Sequence, residues 1–132
     1  MNSITAIVGL GRSGIGAAKV LKKEGHQVII LEKSTNSKFI DLAKALEQKG
    51  IKVVLGKPLE ISSFKPWIST LSSVITSPSI PWDHPTLNAL RSQGIAIKSE
   101  VSLAWEKLSH LPWIGITGTN GKTTVTYMLH HV

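Results

Sequence analysis

The sequence contains no cysteine. That absence excludes a disulfide scaffold, a thiolate metal centre and a cysteine nucleophile. Aromatic residues are scarce at 5%, with one tyrosine, Tyr127, and the arginines are only Arg12 and Arg91. Nucleic-acid surfaces combine clustered basic residues with interleaved aromatics, so no nucleic-acid partner is expected. No apolar run approaches the ~18–20 residues that span a bilayer, so no membrane association is expected. The opening Met1-Asn2-Ser3-Ile4 has no basic segment leading into a long apolar one. A secretory signal is therefore not expected, and the expected location is cytoplasmic. Negative charge is also short, with 8 Asp+Glu against 15 Lys+Arg and a formal charge of +7. Such an excess favours an anionic partner, although the lysines are scattered as on solvated helix faces. What is present suffices for a core: 42% of the 132 residues are hydrophobic and 17% are charged.

Apolar periodicity alternates strand with helix. Ile4 to Val8 is a short apolar run that ends at a glycine turn, as a buried parallel strand should. Ser13 to Glu24 carries Ile15, Ala17, Ala18, Val20 and Leu21 at helical spacing and closes at Gly25. Val28 to Leu31 is a second strand, Phe39 to Leu46 lies on a second helix ending at Gly50, and Ile51 to Leu55 is a third strand. The stretch 57–71 has no clear period and contains Pro58 and Pro66, so loop with some helix is expected. Ser73 to Thr76 is a fourth strand, Pro85 to Gln93 a helix closing at Gly94, and Ile95 to Ile97 a fifth strand. Ser99 is the expected cap of a helix running to Leu108. After His110-Leu111-Pro112, a linker, Trp113 to Thr117 is expected to form another strand, followed by a glycine loop and a helix. The alternation predicts an α/β fold, a Rossmann-like parallel sheet with helices on both faces. Residues 1–108 are expected to form that domain. Residues 109–132 are expected to be a linker and the first strand–loop–helix of a second α/β domain.

Two glycine loops carry the chemistry. Gly9-Leu10-Gly11-Arg12-Ser13-Gly14 fits G-x-G-x-x-G between a strand and a helix. Glycine there lets the backbone turn tightly and lets a diphosphate approach the first amides of the helix, where the dipole favours negative charge. Glu32 ends the second strand, where a carboxylate commonly accepts hydrogen bonds from a ribose or a base. On these residues alone three readings stand: an NAD(P) site, a site for another nucleotide diphosphate, or a tight turn that only packs helix on sheet. The second loop, Gly115-Ile116-Thr117-Gly118-Thr119-Asn120-Gly121-Lys122-Thr123-Thr124, has Gly-Lys-Thr after a strand and before a helix. That is the working end of a phosphate-binding loop: amides cradle phosphates, Lys122 reaches β/γ oxygens and the Thr123 hydroxyl can ligate Mg²⁺. The strict G-x-x-x-x-G-K-[ST] spacing fails at Ile116.

Gly118 to Thr124 after Trp113-Ile114-Gly115-Ile116-Thr117 resembles the ATP loop of the Mur ligase and folylpolyglutamate synthetase family, which also lacks the first Walker glycine. Val8 to Gly14, the turn Ser77-Pro78-Ser79-Ile80 with His84-Pro85, and Lys98-Ser99-Glu100-Val101 are similar to the D-glutamate-adding branch of that family. The resemblance covers the whole chain, and about the first third of such an enzyme. It implies ATP with Mg²⁺, the substrates UDP-N-acetylmuramoyl-L-alanine and D-glutamate, and a monomer that forms an amide through an acyl phosphate. Carried over by position, Gly118, Thr119, Asn120, Gly121, Lys122, Thr123 and Thr124 would bind ATP, with Lys122 and Thr123 catalytic. Gly11, Arg12 and Ser13 would meet the diphosphate of a UDP-sugar, Glu32, Lys33 and Ser34 its uracil end, and Ser77, Pro78 and Ser79 the substrate loop. Glu32 stands where Asp is more usual. Ser79 stands for a glycine, which would be strained if that position needs positive φ. The 132 residues alone are expected to be inactive.

Other classes compete less well. A nicotinamide-dependent oxidoreductase or regulatory domain would use the first loop and Glu32, and has no reason to carry the second. Another ligase of the same broad family remains an alternative. The five histidines (His26, His84, His110, His130, His131) show no spacing that pairs with carboxylates to hold a metal. Gly11-Arg12-Ser13-Gly14 is not a nucleophile elbow, so Ser13 is not a hydrolase nucleophile. Trp67, Trp82, Trp105 and Trp113 are spread out as packing residues.

Overall fold

A computed structural model describes residues 3–116, 118 and 120–130. Five strands form one sheet: β1 (Ile4–Val8), β2 (Gln27–Glu32), β3 (Lys52–Leu55), β4 (Leu71–Thr76) and β5 (Ala96–Ser99). Their order is β3-β2-β1-β4-β5, and every neighbouring pair is parallel. Helices α1 (Arg12–Lys23), α2 (Ser37–Glu47), α3 (Ile61–Phe64), α4 (Pro85–Ser92) and α5 (Glu100–Leu108) alternate with the strands, and α6 (Lys122–His130) follows. The unpatterned stretch after β3 contains α3 and a 3-10 turn, Lys65–Trp67. Among the described residues, no helix is long and apolar enough to cross a membrane.

The strands are apolar throughout because both faces of the sheet are covered. On one face Ile7, Val28, Ile30, Val53 and Ile75 pack with Ala18 and Leu21 of α1, Ala43 and Leu46 of α2, and Leu103 of α5. On the other, Ala6, Ile29, Leu31 and Val74 pack with Phe64 of α3 and Leu87 and Leu90 of α4. Neighbouring strand residues thus serve opposite cores, the period of two that a pleated strand imposes.

Local chemistry sets where the helices begin and end. Asn36 caps α2, its side chain accepting the Phe39 N–H at 3.1 Å. Ser99 caps α5 as expected, its Oγ accepting the Ser102 N–H at 2.9 Å. His84 caps α4, with Pro85 at the first helical position, where a missing N–H costs nothing. The helices expected to close at Gly25, Gly50 and Gly94 do so, with each glycine at positive φ.

The expected strand at Trp113 to Thr117 is a correction. Residues 113–116 form no strand, and Thr117 lies outside the described residues. A strand exists by pairing, and none of the five strands pairs with this segment. Trp113 instead lies 5.1 Å from the Trp105 ring and donates its indole N–H to the Leu108 carbonyl at 2.9 Å, closing the end of α5.

Phe64 is the largest fully buried side chain of the second core and is 1% exposed. Phe64→Ala is expected to lower the unfolding free energy by about 3–5 kcal/mol. Urea denaturation would measure it; a loss under ~1 kcal/mol would mean that α3 is not part of the cooperative core.

Candidate functional site

The order of strands places a crevice at one edge of the sheet. From β1 the chain runs outward through β2 to β3, then returns to β4 on the other side of β1. The loops leaving β1 and β4 therefore diverge, and a crevice opens above the carboxyl ends of those strands. The first glycine loop follows β1 and the Ser77 turn follows β4, so both lie at this crevice.

The glycine loop is held from the end of β2. Gly9 N–H donates to the Leu31 carbonyl and Leu10 N–H to Glu32 Oε2, both at 2.8 Å. Gly9 makes the turn at φ +100°. Gly14 allows α1 to close on β1: a Cβ there would stand 2.5 Å from the Gly9 carbonyl oxygen and 3.3 Å from Ile7 Cγ2. Gly11 caps α1 without a side-chain hydrogen bond. The amides of the first turn, which have no intrahelical acceptor in any α-helix, are left for an anion.

Two cavities adjoin here, each of about 330 Å³. One lies over Gly9 to Gly14 and is bounded by Glu32, Phe39, Ser77, Ser79 and Glu100. The other contains Lys33, Lys57, Leu59, Ile80, Pro81 and His84. They share Val8, Gly9, Glu32, Ser77 and Ser79, so they form two lobes of one crevice.

The candidates named from sequence separate at this point. Gly11, Arg12 and Ser13 line the first lobe, Lys33 the second, and Ser77 and Ser79 both. Pro78 faces another groove, between α1 and α5. Ser34 lines neither lobe, and its N–H donates to Glu32 Oε1 at 3.1 Å. Glu32 borders both lobes but is 8% exposed, and each carboxylate oxygen already accepts a backbone N–H, from Leu10 or Ser34. Ser79 adopts no positive φ, so serine in place of glycine is unstrained. The Ser77 and Ser79 hydroxyls hydrogen-bond each other, and the Ile80 N–H closes the turn onto the Ser77 carbonyl at 3.1 Å.

Lys57 and Glu100 were missed as site residues. Lys57 was one lysine among many, yet it follows Gly56 at the carboxyl end of a strand, where a parallel sheet collects its ligands. Glu100 begins α5 and reaches the glycine loop, where its carboxylate accepts a hydrogen bond from Ser13. Burial pushes its carboxyl above the ordinary 4.5, against that hydrogen bond, which lowers it.

The second glycine loop is separate from this crevice. Gly118 and Gly121 turn the chain at φ +146° and +80°, and α6 starts at Lys122. Asn120, Lys122, Thr123 and Thr124 are exposed, and Thr119 lies outside the described residues. Another hollow, about 500 Å³ between α1 and α5, is lined mainly by Ala17, Val20, Val101, Leu103, Ala104 and Leu108.

A family described as Mur ligase, MurD-like, N-terminal domain, matches residues 3–99. The chain belongs to the MurD-like Mur ligase family. It is 60% identical over 128 residues to a UDP-N-acetylmuramoylalanine–D-glutamate ligase of Prochlorococcus marinus (strain MIT 9313), covering 97% of this chain and 28% of that protein. It is 55% identical over 130 residues to the ligase of the same name from Synechococcus sp. (strain CC9902), covering 98% of this chain and 28% of that one. The chain thus spans little more than a quarter of these relatives. Among solved structures, the TrkA-N domain of the inner membrane protein ybaL from Escherichia coli superposes with a TM-score of 0.58 at 17% identity. That match covers 100% of this chain and 98% of that one, and confirms the Rossmann-like fold alone. The MurD-like match does not favour the nicotinamide-dependent reading.

Gly14→Ala is expected to cost about 1–3 kcal/mol by overpacking, because the new methyl meets backbone. Gly16→Ala, in the same helix with nothing within 4 Å of its Cβ, is expected to gain about 0.5–1 kcal/mol. Equal effects in urea melts would show that the close approach at Gly14 is not a constraint. A raised folded pKa at Glu100 means that its stabilising contribution is full below 4.5 and lost as pH rises through the raised value. Glu100→Gln is therefore expected to gain stability relative to the parent chain over that interval, read as the difference of their thermal midpoints against pH. A pH-independent difference would refute it.

Proposed function

We propose that this chain is the nucleotide-sugar-binding part of an ATP-dependent ligase that joins D-glutamate to UDP-N-acetylmuramoyl-L-alanine in peptidoglycan synthesis. The observation that carries the reading is the two-lobed crevice at the strand switch point, with first-turn amides of α1 in one lobe. An elongated ligand with a central diphosphate suits it: the anion lies on the glycine loop and the nucleoside in the neighbouring lobe. The shared name of the relatives supports the same substrates.

In this reading residues 1–108 are the UDP-sugar domain, and 109–132 link to and begin an ATP-binding domain. Gly11, Arg12 and Ser13 hold the diphosphate with backbone amides and one guanidinium. Glu32 acts chiefly through position, keeping the glycine loop and the Ser34 turn in place beside the uridine end, next to Lys33. Ser77, Pro78 and Ser79 border the sugar. On the second loop, Gly118 to Thr124 cradle the ATP phosphates. Positive φ at Gly118 and Gly121 and the exposed Lys122 and Thr123 on the first turn of α6 support that reading. They fit an ATP–Mg²⁺ group, with Thr123 holding the ion. Mg²⁺ supplies charge neutralisation at the transferred phosphoryl group.

The reaction is phosphorylation of the substrate's terminal carboxylate to an acyl phosphate, followed by attack of the D-glutamate amine and loss of phosphate. Lys122 offsets the negative charge that develops during phosphoryl transfer. The protein acts as a cytoplasmic monomer, without nucleic-acid or membrane partners. The 132 residues by themselves bind and do not ligate.

The test is the thermal unfolding midpoint with UDP-N-acetylmuramoyl-L-alanine and, separately, with NADH. At ~100 times its dissociation constant a ligand of the folded state adds ~2.7 kcal/mol, a shift of several degrees in a chain this size. Stabilisation by the UDP-sugar and not by NADH is the expected result; the reverse would replace the ligase reading with the nicotinamide one. Measurable ATP-dependent amide formation by these 132 residues would refute their predicted inactivity.

A further inference from the structure

We infer that Lys57 selects the base of the bound nucleotide, favouring a ring whose edge presents carbonyl acceptors over one that presents an amino group. The inference rests on the proposal above that the ligand carries a nucleoside diphosphate. It adds a selecting residue from outside both glycine loops.

Gly56 turns the chain out of β3 at φ +71°, and a Cβ there would stand 3.3 Å from Thr35 Cγ2. The loop after β3 thus lies against the loop after β2. Lys57 N–H donates to the Glu32 carbonyl at 2.9 Å, which fixes the base of the lysine side chain beside the crevice. Lys57 is half-buried and lines the second lobe, and no carboxylate forms an ion pair with it among the described residues. Elsewhere Lys98 and Lys107 find glutamate partners at 3.0 and 2.6 Å.

The lobe has apolar walls in Leu59, Ile80 and Pro81, suited to the faces of a flat ring. Its titratable groups divide sharply into donors and a spent acceptor. Lys33 and Lys57 carry ammonium groups, which donate and cannot accept. His84 accepts the Thr86 N–H on Nδ1 at 3.1 Å, which leaves Nε2 as the nitrogen that carries a proton. Glu32 is the one carboxylate of the lobe, and both its oxygens are engaged by Leu10 and Ser34. A base edge with two carbonyl oxygens, as in uracil, meets these donors. An exocyclic amine, as in cytosine or adenine, sets donor against donor at the position where uracil presents a carbonyl, an arrangement that disfavours the analogue. Lys33 is exposed, whereas the half-buried Lys57 has fewer positions available and so carries the discrimination. The phosphates already have the first-turn amides of α1 in the adjoining lobe.

Titration calorimetry of the 132-residue chain with UDP, CDP and ADP tests this. The parent chain is expected to prefer UDP at least tenfold. Lys57→Met is expected to weaken UDP tenfold or more while changing CDP less than twofold, so that the preference disappears. Lys57→Arg keeps a donor and is expected to restore most of it. An undiminished preference in Lys57→Met would overturn the inference, and so would equal weakening of all three nucleotides, which would make Lys57 a phosphate contact. In both cases UDP binding by the parent chain leaves the nucleotide reading intact. A parent chain that binds none of the three would sink that reading, and this one with it.

Discussion

The carboxylate of Glu32 holds together the loops from which the crevice is made. Its two oxygens take the N–H groups of Leu10 and Ser34, and its carbonyl takes that of Lys57. Three successive loops, after β1, β2 and β3, are thereby tied to one residue at the end of one strand. Burial strengthens the two carboxylate bonds, because a carboxylate removed from water gains more from a fixed N–H than an exposed one does. The residue that looks from its position like a direct ligand contact is first a clamp.

Around that clamp the sheet supplies rigidity, and its strand order supplies the place. Two cores press on opposite faces, so the strands cannot shift register without turning apolar side chains away from their partners. Between β1 and β4 the neighbouring connections lead apart, and there the crevice opens above the carboxyl ends of the strands. The closeness of Gly14 to the Gly9 carbonyl then decides how near α1 comes, and so where its first-turn amides point.

The two glycine loops stand in different surroundings. The first is embedded: its helix packs on the sheet, its turn is hydrogen-bonded to β2, and cavities stand over it. The second turns at positive φ at Gly118 and Gly121, but its described residues are exposed and the segment before it pairs with none of the five strands. A motif carries the local conformation; packing makes it a site.

Much of the fold was legible in the sequence because its signals are local or periodic. Apolar runs such as Ile4 to Val8 and Val28 to Leu31, helical spacing from Ile15 to Leu21, glycines at helix ends and Ser99 as a cap each act within a few residues. The glycine loop was legible for the same reason. What only the tertiary structure decided depends on residues distant in the chain. The expected strand at Trp113 failed because pairing is not a local property. Glu32 proved to be occupied because its partners are 22 residues away at Leu10 and close by at Ser34. Pro78 turned from its serine neighbours toward another groove, and Lys57 and Glu100 reached the crevice from the ends of β3 and β5, far along the chain from the glycine loop. Sequence determined which segments become strands, helices and glycine turns; the sheet order determined which side chains meet, because parallel pairing gathers loops far apart in the chain at one edge.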